Sequence, residues 1–302
     1  MKVLNLAFTA VPAPASQLGE SPFWHPDEAA LYWCDIPGKA LHRWHPETAS
    51  HQHWPLPAEP GCCAPLPGGD VLLAMRDGLF RFNRQTGERQ KLAAPPYDAK
   101  IERFNDGKAD AQGRLWVGTI YEPRNAPKAV LYRWAGGKLQ RMAGDVTVSN
   151  GLAFSPDGRT LLWSDTFTHR ICALDFDGAD GSLSRQRVFA QFPMKQPDQD
   201  LATYGGRPDG AAMDAEGCCW VAMFEGQRLL RLSPEGAVLQ EVPLPVRCPT
   251  MPCLGGPDLR TLYVTTARNN RPAAELAAQP MAGQVISTRV EVPGLPVNFA
   301  RG

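Results

Sequence analysis

Short runs of large apolar and β-branched residues recur along the chain, each closed by a polar turn. LYWCDI (31–36), RLWVGT (114–119), LLWSDT (161–166), CWVAM (219–223) and LYVTTA (262–267) are such runs. Their length and their aromatic and β-branched content predict strands. No amphipathic stretch of about 10–15 residues lies between them, as a parallel α/β sheet would require. A further strand follows most of them, as in ALHRWHP, LFRFNRQTG, VLYRWAGG, ICALDFDG and LLRLSPEG, and most of these end in turn residues.

The strands belong to a repeat. SNGLAFSPDGRTLLWSD (149–165) and PDGAAMDAEGCCWVAM (208–223) come into register when Asn150 is laid on Asp209. FNDGKADAQGRLWVGT joins them with Asn105 at that place, and GESPFWHPDEAALYWCDI with Glu20. Two weaker copies bring Cys62 and Thr250 to the same position. Glu20, Cys62, Asn105, Asn150, Asp209 and Thr250 are therefore equivalent, at intervals of 42, 43, 45, 59 and 41 residues. Several strands per unit at a period of about 40–45 residues is the pattern of propeller blades. The expected fold is all-β: a six-bladed β-propeller forming one domain over residues 1–302, with a metal site in its central channel. The N-terminal NLAFTAV is expected to supply the outer strand of the last blade and close the ring. The long interval holds extra residues at 191–206, either a rim loop or lid, or a tolerated surface insertion.

In a propeller the residue that starts each innermost strand lies at one mouth of the channel. The six equivalent positions would thus ring a single point, and four of them carry carboxylate or amide side chains. Two carboxylates in a confined mouth are costly unless a cation or a shared proton compensates. A hard divalent cation takes such ligands. Asn-Asp-Gly, Ser-Asn-Gly and Pro-Asp-Gly are also ordinary turn sequences, but a turn preference does not explain Glu20 in the same register. Arg103, two residues before Asn105, is either a group for a substrate oxygen or a surface cation paired with Glu102 or Asp106.

Composition narrows the classes. Lys plus Arg (31) balances Asp plus Glu (31), which gives no footprint for nucleic acid or an anionic membrane. No run reaches the roughly 18 apolar residues of a spanning helix. Asn5 and Thr9 interrupt the apolar opening, which argues against a signal peptide and for a cytoplasmic protein. The 8 cysteines lack CxxC or zinc spacing and read as buried free thiols. Five of the six histidines fall in the first two units, and the HxH at 51–53 reads as a solvated loop. No GxSxG, HExxH or P-loop is present.

Together GESPFW, RFNDGKADAQGRLWVGT, SNGLAFSPDGRTLLWSDT, PDGAAMDAEGCCWVAM and LGGPDLRTLYVTTAR resemble the senescence marker protein/gluconolactonase/luciferin-regenerating-enzyme-like family. The resemblance runs from about residue 18 to the C-terminal region. It implies a propeller holding one divalent metal and hydrolysing sugar or related lactones to hydroxy acids. It assigns Glu20, Asn150 and Asp209 to the metal and Arg103 and Asn105 to the substrate. It also makes Asp209 the general base and places a further substrate contact near Glu122. Ca²⁺ is the first expectation for the ion, with Zn²⁺, Mn²⁺, Mg²⁺ and Fe²⁺ as alternatives. The expected partner is a small-molecule lactone, with no nucleic acid and no membrane. Oligomeric state leaves no mark on the sequence. Two rival functions use the same scaffold: a non-enzymatic calcium-binding or regulatory propeller, and an aryl-ester or organophosphate hydrolase.

Overall fold

The structure, a computed structural model, describes residues 1–301. Among them the strands gather into six antiparallel-meander sheets, five of four strands and one of five. In the first blade the order outward is Gly19–His25, Ala30–Asp35, Ala40–His45 and Ser50–Pro55. The other innermost strands are Pro60–Pro65, Glu102–Ala109, Ser149–Phe154, Arg207–Met213 and Pro249–Gly255. These are the strands that the repeat placed around the channel, and the six-bladed fold is as expected.

Five blades carry a fourth, outer strand that the sequence pattern did not reveal. Leu183–Gln191 (LSRQRVFAQ) is typical: it is mostly exposed and polar, so it lacks the apolar alternation of a buried strand. The last blade takes its outer strand from the N-terminus instead. Thr9 and Ala10 pair antiparallel with Ser287 and Ile286, as NLAFTAV led us to expect. Lys2–Val3 also runs parallel beside Val238–Pro243 of the fifth blade, so the first ten residues tie two blades together. The C-terminal segment crosses the far end of the channel. Gly294 bridges to Asp214, the Ala300 amide donates to Pro65 O (2.8 Å), and the Arg301 amide donates to Gly113 O (2.7 Å).

The turn sequences shape the core as well as the surface. In DAQG and DAEG, the Oδ1 atoms of Asp110 and Asp214 accept amide hydrogens of their own turns, from Gln112 (2.9 Å) and Glu216 (3.0 Å). Their Oδ2 atoms accept the indole N–H of Trp116 (2.9 Å) and Trp220 (3.0 Å), on the next strand. Trp33 and Trp163 satisfy their indoles on Ser16 and Ser149. A buried indole without a partner costs on the order of 1–3 kcal/mol, and in the first, third, fourth and fifth blades the second-strand tryptophan meets that demand on a nearby side-chain oxygen. All eight cysteines are free and buried. No helix is long and apolar enough to cross a membrane among the described residues.

The HxH segment differs from expectation: it lies on the outer strand Ser50–Pro55, not in a solvated loop. His42 stacks on Trp33 (centroids 5.0 Å apart, 8° between planes), and its Nδ1 shares a hydrogen bond with His51 Nε2 at 3.0 Å. Burial, reinforced by His51 and His53, lowers the His42 pKa from 6.5 to about 3. The unfolded chain therefore binds a proton near neutrality that the folded chain refuses. The His42 contribution is full above about pH 6.5 and is lost as pH falls toward 3. By about pH 5 this residue alone should remove roughly 2 kcal/mol. Thermal melts between pH 7 and 5 should show wild type losing stability faster than His42→Phe, which keeps the stack without the titration; parallel curves would contradict the assignment.

Candidate functional site at the channel mouth

One backbone feature recurs where the six equivalent residues sit. In every blade the pairing of the innermost strand with its neighbour slips by one residue at that place. Glu20 pairs with Cys34 but Phe23 with Tyr32; Asn150 pairs with Ser164 but Ala153 with Leu162. The same slip falls between Phe104 and Gly107, Pro208 and Ala211, Pro60 and Cys62, and Pro249 and Met251. Each innermost strand thus carries a β-bulge of one extra residue, which bends the strand and re-aims its side chains. Glu20, Asn105, Asn150 and Asp209 consequently meet around one cavity of about 280 Å³.

Within it a chain of hydrogen bonds runs across three blades. Arg103 Nη1 donates to Asn105 Oδ1 (2.8 Å), Asn105 Nδ2 to Asn150 Oδ1 (2.9 Å), and Asn150 Nδ2 to Asp209 Oδ1 (2.6 Å). Asn150 Nδ2 also donates to Thr166 Oγ1, which donates in turn to Pro208 O (2.7 Å). Glu20 accepts only the Ser21 amide, at 3.2 Å, among the described residues. Arg103 is not paired with Glu102, which bonds Thr119 instead; its side chain is 12% exposed and lines the cavity. Cys62 and Thr250 do not line the cavity, and Thr250 Oγ1 is occupied by Thr265 (2.8 Å).

Glu122 lies differently from the other predicted residues. It is 36% exposed, forms a bidentate pair with Arg76 (3.0 and 2.8 Å), and stands 3.6 Å from Arg103 without lining the cavity. Sequence reasoning missed Arg124, His169, Lys195 and Arg207, all of which line it. Arg207 was within reach, because it precedes Asp209 by two residues just as Arg103 precedes Asn105. Leu18 and Val148 hold the same offset and also line the cavity. The 191–206 segment supplies Met194 and Lys195 to the wall, and Tyr204 Oη bonds His169 Nε2 at 3.1 Å. A larger cavity of about 380 Å³ lies at the opposite end, beside the C-terminal segment. Phe23, Trp24, Phe154 and Met251 line it and no carboxylate does, so the smaller cavity is the one equipped for chemistry.

Electrostatics single out the two carboxylates. Burial, then Asp209 and Asp106, push the Glu20 pKa well above the carboxylate range. Burial pushes Asp209 up to about 8, with Asp106 adding and Arg207, Arg103 and Arg124 opposing. Two acids this strained toward neutrality want a proton or a cation. A side-chain oxygen set of two carboxylates and an amide, each with few competing donors, fits a hard divalent cation.

A six-bladed propeller with acidic and amide groups converging at one mouth defines the class of protein. The chain belongs to the SMP-30/Gluconolactonase/LRE-like family, which residues 18–268 match. It is 45% identical over 294 residues to 6-deoxy-6-sulfogluconolactonase from Pseudomonas putida, covering 96% of this chain and 97% of that one. It is 34% identical over 288 residues to regucalcin from Oryctolagus cuniculus, covering 92% and 93%. Among solved structures, a calcium-binding protein, regucalcin, from Agrobacterium tumefaciens superposes with a TM-score of 0.92 at 27% identity, over 100% of both chains.

The raised Asp209 pKa has a consequence for metal-free protein. The folded state keeps a proton that the unfolded state releases, so this stability is present below the usual carboxylate range and lost as pH rises to about 8. In chelator, wild type should melt progressively lower from pH 5 to 8, and Asp209→Asn should fall less steeply; equal slopes would show that the carboxyl is not strained.

Proposed function

We propose that the protein is a divalent-metal-dependent lactonase that opens a sugar lactone to its hydroxy acid. The observation that carries this is the buried pair Glu20 and Asp209, 7% and 6% exposed, set beside Asn150, Asn105 and Arg103 in one cavity. In this reading Glu20, Asn150 and Asp209 hold the cation, Ca²⁺ first among the candidates because a close structural relative is described as calcium-binding. Its 45% identical relative is named as a lactonase of a sugar acid lactone, which supports the substrate class.

When bound, the cation supplies Lewis-acid polarisation of the lactone carbonyl and makes a bound water more acidic. The remaining steps belong to the chain. Asp209 accepts a proton from the attacking water. Arg103 and Asn105 orient the ring oxygens and donate to the oxygen that gains negative charge as water adds to the acyl carbon. The C–O bond of the ring then breaks, and the released alkoxide takes the proton to become the hydroxyl of the product. Glu122 and Arg76 act at one remove, holding the Arg103 guanidinium in place.

Asp209→Ala should lower kcat/KM for gluconolactone by about a thousandfold or more, as losses of charge-stabilising active-site groups do. The measurement is acid release at constant pH, corrected for spontaneous opening, on chelated protein reloaded with each cation in turn. Undiminished turnover in the variant would sink the scheme. Cation binding without turnover of any lactone would favour the calcium-binding reading, and turnover of aryl esters alone would favour the esterase one.

A further inference from the structure

The mouth holds more positive charge than opening a neutral sugar lactone calls for. Four cationic side chains, Arg103, Arg124, Lys195 and Arg207, line the cavity against two carboxylates. Arg103 is engaged by Asn105, Phe104 O and Glu122. Arg207 lies over the Phe224 ring (5.1 Å) and 3.3 Å from Glu225. Arg124 and Lys195 have no ion pair among the described residues. Both are exposed at the rim, on separate segments that converge on the same opening.

Arg124 is also held in an unusual way. Its backbone takes φ 54° in the turn closed by its amide on Tyr121 O (3.0 Å), a left-handed conformation uncommon for a residue with a side chain. Burial lowers the Arg124 pKa, the like charge of Arg207 lowers it further, and Glu122 and Asp209 oppose. Cations that outnumber the carboxylates around one cavity, two of them without an ion pair among the described residues, make a place for an anion. Guanidiniums suit oxyanions in particular, because their N–H groups match two oxygens at once. The aromatic faces of Phe167 and Phe224 beside them suit the carbon that bears the group.

We propose that Arg124, Arg207 and Lys195 form a subsite for a non-reacting oxyanion (sulfonate, phosphate or carboxylate) at the end of the lactone away from the scissile ester. The proposal rests on the lactonase reading of the cavity floor and adds the substrate class that the rim selects. The subsite and the carboxylate pair would then divide the substrate between them. The ester goes to Glu20, Asn150 and Asp209, and the fixed negative charge goes to the rim.

The test compares kcat/KM for gluconolactone with that for its 6-deoxy-6-sulfo and 6-phospho analogues and for a glucarolactone. Wild type, Arg124→Gln and Lys195→Gln are each loaded with the preferred cation. Wild type should favour at least one anionic lactone by about tenfold or more. That ratio should collapse about tenfold in each variant, since a charge-assisted contact is worth roughly one such factor. Raising salt from 50 to 500 mM should erode the anionic rate more than the neutral one. Which of the three anions leads identifies the group. A preference for the neutral lactone, or losses shared equally by neutral and anionic substrates, would overturn the subsite and leave the lactonase reading standing. If no lactone turns over, that reading fails, and calorimetric binding of 6-phosphogluconate against gluconate still judges the subsite. A preference that Arg124→Gln removes supports it, and equal binding of the two acids overturns it.

Discussion

Everything at the channel mouth depends on one extra residue in each innermost strand. A regular ladder would send successive side chains alternately into the two faces of a blade. The slip at the ring position breaks that alternation in all six blades and turns Glu20, Asn105, Asn150 and Asp209 toward the axis. The backbone must bend closely to do this. At Gly151 φ is +60°, and a Cβ there would collide with the Ser164 hydroxyl and lie 2.8 Å from Asp209 O, so glycine is required where the fourth blade meets the fifth.

The bulges bring the carboxylates together at an electrostatic cost that the rest of the fold must offset. Burial and mutual repulsion would favour separating Glu20 and Asp209, yet both are carried on strands locked into four-stranded or larger sheets. Closure of the ring keeps them there. The N-terminal residues stitch the fifth and sixth blades at their outer edges, and the C-terminal segment reaches the second, third and fifth at the far end of the channel. Strain concentrated at one mouth, in a fold tied at its edges and its opposite end, is the arrangement expected of a site that is completed by a ligand.

How much of this was legible follows from what a repeat preserves. Internal register exposed the ring positions because Asn105, Asn150 and Asp209 each stand five residues before the same kind of turn, DAQG, SPDG and DAEG. The closing strand at Thr9 was legible in NLAFTAV, a strand-like run ahead of the first unit. The bulges were hidden because strand pairing is not a property of either strand alone. The outer strands were hidden because residues such as those of LSRQRVFAQ are mostly polar and exposed and carry no apolar alternation. Arg207 went unremarked although its offset from Asp209 repeats that of Arg103. Arg124 and Lys195 lie in loops outside the repeat, where no register argument reaches. Glu122 was placed near the substrate by resemblance; its carboxylate pairs with Arg76 and stands 3.6 Å from Arg103.

The central claim is that two buried carboxylates and one amide converge to take a single cation. Titration calorimetry of Ca²⁺ and its competitors into chelated wild type and Glu20→Gln tests it most directly. The account predicts one cation bound per chain in wild type, with protons released from the strained carboxyls, and affinity reduced by about a hundredfold or more in the variant, where a charged ligand becomes neutral. Absence of binding in wild type, or binding of equal strength in Glu20→Gln, would contradict it.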